Sequence, residues 1–218
     1  MNFTRLHAAA SPGRTKIEKL QKLADRVAIC RLCPQIAQLR QHTVFGTGNP
    51  DAELMFVGEA PGRTEDALGT PFVGLAGDFL TVLIEGLGVE RQDVYIANTL
   101  KCRPDTLSGQ VNRPPLRSEM SDCLPFLFAQ IEIIKPKVIC ALGATALDAF
   151  DIDEQLSQAV GKRYYWRKIP VIPTWHPAYV LRNPTIEVRR GIWLDICDAW
   201  LLCGHEVTKA MEVWEPPV

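Results

Sequence analysis

The chain lacks any apolar run long enough to cross a membrane. Its longest, LPFLFAQIEII from Leu124, is broken by Gln130 and Glu132, well short of the roughly 20 apolar residues a spanning helix needs. The opening segment, MNFTRLHAAASPGRTK, is faintly basic and alanine-rich but has no hydrophobic stretch of the secretory kind. A soluble chain with no membrane partner is expected, with a loose tail over about residues 1–15. No internal repeat and no low-complexity segment is present, which sets aside solenoids and disordered linkers. Bulk charge is also lacking: the formal net charge is −1, which argues neither for nor against a polyanionic partner. Cysteine, in contrast, is plentiful. Seven thiols, an odd number with no export signal, point away from a disulfide framework and towards reduced thiols, metal ligation and a cytoplasmic setting. The 218 residues, 47% of them hydrophobic and 22% charged, suffice for one well-buried domain over residues 1–218.

Four of the cysteines form a pattern. Cys30 and Cys33 stand in CRLC, Cys102 in NTLKCRP, and Cys123 beyond a proline-rich loop. Four soft thiolates match Zn²⁺ or iron–sulfur iron. Cys140, Cys197 and Cys203 lie in apolar strand or helix patterns and read as core. Ile17, Leu20, Leu23, Ala24 and Val27 recur at helical spacing, so a helix over 16–29 delivers CRLC at its end. Strand ELMFVG, helix FLTVLIEGLG, strand DVYIANT, a helix over 118–134, strand KVICALG, helix ATALDAF, strand IPVIPT and a helix over 185–203 follow. Strands alternating with helices predict a three-layer α/β/α sandwich around a mostly parallel sheet.

Ligands of such sheets bind at the carboxyl ends of strands. That rule brings GEAPG (58–62), Asn98 and His176 to one rim. GEAPG matches neither the Walker nor the dinucleotide fingerprint, and alone it is an ordinary turn. Phe72 in PFVG alone is core, and a histidine before proline alone is a fixed turn. Between Gly161 and Arg190, Lys162, Arg163, Arg167, Lys168, Arg182, Arg189 and Arg190 face the single acid Glu187. This block is either a solvated basic surface or a phosphate footprint.

Taken together and in order, these elements resemble the family 4 uracil-DNA glycosylases, the iron–sulfur branch of the uracil-DNA glycosylase superfamily. The resemblance runs from about Cys30 to Leu194 and rests on CxxC, GNPDAELMFVGEAPGRTEDALGTPFVGLAG, DVYIANTLKCRP, NRPP, Cys123, PKVICALGATAL and PVIPTWHPAYVLRNP. It implies a DNA-repair enzyme that hydrolyses the N-glycosidic bond of uracil and leaves an abasic site. It also implies a glycosylase-type sandwich and a [4Fe–4S] cluster on Cys30, Cys33, Cys102 and Cys123. TLSGQV before Asn112 reads as a lengthened loop between the last two cysteines.

The chemistry of the resemblance assigns roles. Uracil in a duplex must be flipped out, stacked on a ring and read along its edge. Phe72 is the expected platform. The Asn98 amide offers one donor and one acceptor, matching uracil O4 and N3–H. Glu65 is expected near C5, excluding the thymine methyl, with Gly58, Ala60, Pro61 and Gly62 lining the same pocket. His176, as a neutral imidazole, is the donor to uracil O2, where charge develops as the bond breaks. Glu59 orients water and steadies the sugar cation; superfamily members with an aspartate one position later have a clearer water-activating group, where this chain has Ala60. Leu181 and Arg182 resemble the wedge that enters the duplex. The partner is uracil-containing DNA, single- or double-stranded, and a monomer is expected, nucleoid-associated in a prokaryote.

Other readings remain open at this point. A related branch traps DNA covalently through a histidine after the asparagine motif; here the histidines are His7, His42, His176 and His205, so free product release is favoured. A Cys₄ module with zinc or iron–sulfur that binds damaged DNA without cleaving it needs neither Asn98 nor His176. A glycosylase for another deaminated base, such as hypoxanthine, fits edge-reading by Asn98 less well.

Overall fold

The computed structural model describes residues 15–105 and 112–217. The expected tail, apart from Thr15, and the TLSGQV segment lie outside the described residues. Helix α1 (Lys16–Ala28) starts on a reciprocal cap: the Thr15 hydroxyl accepts the Glu18 N–H, and the Glu18 carboxylate accepts the Thr15 N–H. Its stripe of Leu20, Leu23 and Val27 is buried, one face of a 3.6-residue period. Cys30 follows, and Cys33 caps the short α2 (Pro34–Ala37).

Six strands form one sheet in the order β1 (Thr47–Gly48), β3 (Tyr95–Asn98), β2 (Leu54–Gly58), β4 (Val138–Leu142), β6 (Ile169–Thr174) and β5 (Tyr164–Trp166). The inner pairs are parallel, and β1 and β5 join antiparallel at the two edges. Strands β2 and β4 are buried along their whole length, as expected where helices cover both faces. Alternation divides their side chains. Leu54, Phe56, Val138, Cys140 and Leu142 pack against α4 (Leu75–Gly86) and α9 (Ile186–Leu202) in a core that includes Leu80, Leu83, Trp193 and Ile196. Met55, Val57, Ile139 and Ala141 face Leu20 of α1 and Leu127 and Ile131 of α5 (Arg117–Ile134). The predicted sandwich of three layers is what these two cores build.

The short helices α3 (Arg63–Leu68) and α8 (Pro177–Arg182) lie between a strand and a long helix in the chain order, α6 (Ala144–Asp148) and α7 (Leu156–Ala159) lie between β4 and β5, and α10 (Lys209–Val213) follows α9. The edge strands are the elements that periodicity misses. β5 lies inside the basic block, and its hairpin to β6 turns at Arg167 and Lys168, both at positive φ (44° and 71°), the turn type that follows strand twist best.

Candidate active site

The parallel register aligns the strand ends. Gly58 stands beside Asn98, and Leu142 beside Thr174, so the loops after β2, β3, β4 and β6 open along one rim. They enclose a cleft of about 780 Å³ lined by Glu59 to Glu65, Phe72, Asn98, Asn112 to Pro114, Gly143, Trp175, His176, Tyr179 and Arg182, among others. Three elements distant in sequence thus converge as the strand-end rule predicts.

Asn98 is only 2% exposed, and its Oδ1 is buried without a hydrogen-bond partner. An orphaned buried acceptor costs about 1–3 kcal/mol, so its persistence at a cleft marks a place for a donor that arrives with a ligand. Gly58 leaves room for it: a Cβ there would sit 2.5 Å from Asn98 Oδ1 and 2.5 Å from the Phe72 ring. Gly58 therefore lies beneath the pocket and keeps it open, while Glu59 to Gly62 form its wall.

Phe72 is buried, on a backbone with φ of 51°, a region that costs a residue with a Cβ about 1–3 kcal/mol. The compensation is visible in Arg91, just after α4. Its Nη2 donates to the Pro71 and Phe72 carbonyls, each at 2.8 Å, and its Nη1 to the Thr81 hydroxyl at 2.9 Å. Charge-assisted bonds contribute roughly 1.5–3 kcal/mol each, enough to hold the turn. Gly77 completes it, because a Cβ there would meet the Phe72 carbonyl oxygen at 1.8 Å. Sequence reasoning does not single out Arg91, since ERQD carries no signal beyond an ordinary polar turn.

His176 caps α8. Its Nδ1 accepts the Ala178 N–H at 3.1 Å, which places the proton on Nε2 and leaves that N–H as the donor. Burial, with the nearby Arg182 charge adding, pulls its pKa down to about 4, so the imidazole is neutral at physiological pH. Its ring lies 5.6 Å from the Phe72 ring at 26°. That gap is too narrow for a base between the two, which needs about twice the 3.4 Å stacking rise. The Glu59 carboxylate accepts the Thr145 hydroxyl at 2.6 Å, which fixes its orientation at the mouth. Glu65 accepts three backbone N–H groups, those of Gly62, Val73 and Gly74, each at 3.1 Å. Its carboxylate lines the cleft as a clasp between the loop that starts α3 and the loop that starts α4.

The expected wedge divides. Leu181 is half-buried against the main core and belongs to α8 rather than to a free loop, so part of its apolar surface is covered by the protein. Arg182, next in the chain, is exposed and lines the cleft. The basic block is likewise not one surface. Lys162 pairs with Glu154 at 2.5 Å, Arg163 with Asp198, and Arg167 with Glu132 at 2.9 Å. Neighbours in sequence, they are spent on carboxylates of other elements, and the cations on the cleft are Arg63, Arg113 and Arg182. Arg113 is held by both oxygens of Glu119.

A second, apolar pocket collects Cys30, Cys33, Cys102 and Cys123 with Val27, Ile36, Leu100 and Phe126. Arg40 donates to Cys102 Sγ at 3.0 Å and to the Cys30 carbonyl at 2.7 Å, and the Lys101 N–H donates to Cys123 Sγ at 3.2 Å. Burial pushes Cys123 up to about 12 and, with Asp122 and Glu119 adding, Cys33 to about 11. Lys101 is 1% exposed, its ammonium bonded to the Asn98 carbonyl at 2.8 Å. Among the described residues, no three His, Cys, Asp or Glu side chains are gathered so as to hold a single metal ion. Cys140, Cys197 and Cys203 are buried in the core, as expected.

A family model described as "Uracil DNA glycosylase superfamily" matches residues 45–197. The chain is 46% identical over 187 residues to the type-4 uracil-DNA glycosylase of Thermotoga maritima, covering 84% of this chain and 93% of that protein. The chain belongs to the type-4 uracil-DNA glycosylase family. The type-4 enzymes of Sulfurisphaera tokodaii, 43% identical over 78% of this chain and 80% of theirs, and of Archaeoglobus fulgidus, 39% identical over 87% and 96%, show the same relation. Membership spans both the cleft and, in these relatives' coverage, most of the chain outside it. Among the described residues no helix is long and apolar enough to cross a membrane.

Proposed function

We infer that this family member is a DNA-repair uracil-DNA glycosylase, binding a flipped uracil in the cleft and hydrolysing its N-glycosidic bond. The observation that carries the reading is the unpaired, buried Asn98 Oδ1 beside Phe72. Uracil N3–H supplies the missing donor while the Asn98 amide N–H meets O4; in this orientation cytosine, which offers an acceptor at N3 and a donor at N4, is mismatched. Phe72 stacks on the base, its strained turn held by Arg91. Glu65, held by three N–H groups, is a rigid wall at C5 that leaves no room to yield to a methyl.

As the C1′–N1 bond breaks, its electron pair passes to the uracil ring and charge builds on O2. His176 Nε2–H donates to that oxygen. A neutral donor stabilises the anion without releasing its proton, and preorganised donors of this kind are the largest catalytic contribution in many sites. Glu59, oriented by Thr145, takes the water side and steadies the sugar cation in place of the aspartate that Ala60 replaces. Arg63 and Arg182 lie on the cleft where the strand's phosphates pass, with Arg182 as the duplex-entering residue.

The cysteine pocket fits a [4Fe–4S] cluster. Four thiolates set around one apolar pocket suit a cube, which would take one thiolate on each of its four irons. The buried Lys101 ammonium, with no carboxylate paired to it among the described residues, calls for a nearby anion, which a thiolate-ligated cluster supplies. Cys30, Cys33, Cys102 and Cys123 would hold the cluster, which would then tie together the end of α1, the segment after Asn98, and α5. Incubation with an oligonucleotide carrying one uracil, followed by alkali, tests the function. Strand scission confined to the uracil position is expected. Binding without scission would favour the non-cleaving module.

A further inference from the structure

The cleft holds more than one base. Beyond the Phe72–His176 end, its wall continues onto a second aromatic surface, Trp175 and Tyr179, whose rings stack at 4.9 Å and 20°. Trp175 is the backing plate: its indole packs on the main core and lies against Gly191 of α9, where a Cβ would stand 3.5 Å from Nε1. Tyr179, in the first turn of α8, rests on it, and both rings are half-buried on the cleft. A tyrosine so backed is a flat plate with its orientation already fixed, and exposed aromatic plates beside arginines bind successive bases of single-stranded nucleic acid. The arginines are present, with Arg182 one turn beyond Tyr179 and Arg63 on the same cleft.

We propose that the Trp175–Tyr179 ledge is a second base-binding subsite, taking the nucleobase adjacent to the uracil in the same strand. The proposal rests on the uracil reading of the deeper pocket. Because His176 caps the helix that carries Tyr179, the ledge and the O2 donor are parts of one rigid piece. Seating the neighbouring base then sets the distance of the uracil from His176. Stacking on a plate reads a π-face and no edge, so the subsite tolerates any of the four bases and vanishes only when the base is missing. It acts on single strands, in which no complementary strand competes for the neighbour's stacking.

The test uses single-stranded oligonucleotides with one uracil, in which the 5′ or the 3′ neighbour is replaced by an abasic spacer, assayed under single turnover with the wild-type protein, Tyr179→Ala and Tyr179→Phe. With the wild-type protein, a spacer on one side and not the other raises the half-saturating concentration about 5- to 150-fold, the range for one base stacked on an aromatic residue. Tyr179→Ala shows that loss on the unmodified strand and is indifferent to the spacer. Tyr179→Phe, which keeps the plate, behaves as wild type. The loss falls on half-saturation rather than on the saturating rate, which reports the uracil pocket separately. A wild-type protein insensitive to the spacer on either side overturns the ledge whatever the variants do, as does a Tyr179→Ala protein as spacer-sensitive as wild type. Absence of uracil release from every strand would instead refute the reading of the deeper pocket.

Discussion

The cleft and the cysteine pocket are joined by five residues, Asn98 to Cys102, yet they are built on opposite plans. In the cleft, groups are held ready and left unpaired: an orphaned Asn98 oxygen, a Phe72 turn at positive φ, a histidine whose free N–H faces no partner among the described residues. In the cysteine pocket the wall is apolar, and what polarity there is converges on sulfur, from Arg40, from the Lys101 N–H and from the buried ammonium beside it. The first arrangement spends stability to recognise something transient. The second is unfavourable for bare thiolates, since burial raises the pKa of Cys33 and Cys123, and the proposed cluster would complete it. The contrast teaches that one short segment serves both: Lys101 holds the Asn98 carbonyl from the cysteine side, so a change in the cysteine pocket would be felt at the base-reading residue.

The largest expected effect follows from removing a ligand of the proposed cluster. Cys102→Ala is expected to lose bound iron and most soluble yield, because it breaks the cross-link next to the Asn98 strand. Cys140→Ala, a thiol in the sheet core, keeps its iron. Metal analysis of both variants checks this, and equal iron in the two would dissolve the distinction between the pockets.

Within the cleft, His176→Ala is expected to lower the saturating rate on the order of 10²–10³-fold with iron unchanged. The pH profile sharpens the point. With the neutral imidazole as the working form and its pKa near 4, activity should hold from pH 8 down to about 5 and fall only below, not near the usual histidine value of about 6.5. The same shift has a stability consequence. The unfolded chain takes up this proton at about pH 6.5 and the fold only at about 4, so this contribution is complete above 6.5 and is lost as the pH falls towards 4. An activity midpoint at 6.5 would mean that His176 is not held as described.

A smaller effect is expected at Arg91. Arg91→Ala releases the Phe72 turn, and the strain it held is worth about 1–3 kcal/mol. The half-saturating concentration for a uracil strand should rise roughly tenfold, with a smaller change in the saturating rate, and Arg91→Lys should recover part of the loss by bonding one carbonyl. A fall confined to thermal stability, with kinetics untouched, would make Arg91 a purely structural residue.

Much of the fold and of the cleft is legible in the amino-acid sequence. The apolar runs of β2, β4 and β6 and the spacing of α1 and α9 are long enough for periodicity to specify them, and residues at strand ends must share a rim, which delivers Asn98 and His176 together. The edge strands are not legible, because two or three residues carry no period and the β5 turn uses Arg167 and Lys168 where glycine or asparagine would announce it. The basic block shows the same limit in charge. Arg163 and Arg167 are four apart in sequence but bind Asp198 and Glu132 on different helices, and only folding assigns those partners. Arg91, Thr145 and the Trp175–Tyr179 ledge act through contacts across the fold, for which a single sequence holds no motif.

The central claim is that Asn98 reads the base. Asn98→Asp, assayed on a uracil strand at neutral pH, tests it most directly, because the ionised carboxylate can accept from N3–H but offers O4 an oxygen in place of a donor. A site built around such a hydrogen bond loses about 10⁴-fold when it is mismatched, so uracil excision should fall by that order while iron content stays close to wild type. Under mildly acidic conditions, where the protonated carboxyl donates to cytosine N3 and its carbonyl accepts from N4–H₂, trace cytosine excision is the accompanying signature. Wild-type uracil excision by Asn98→Asp would contradict the account at its centre.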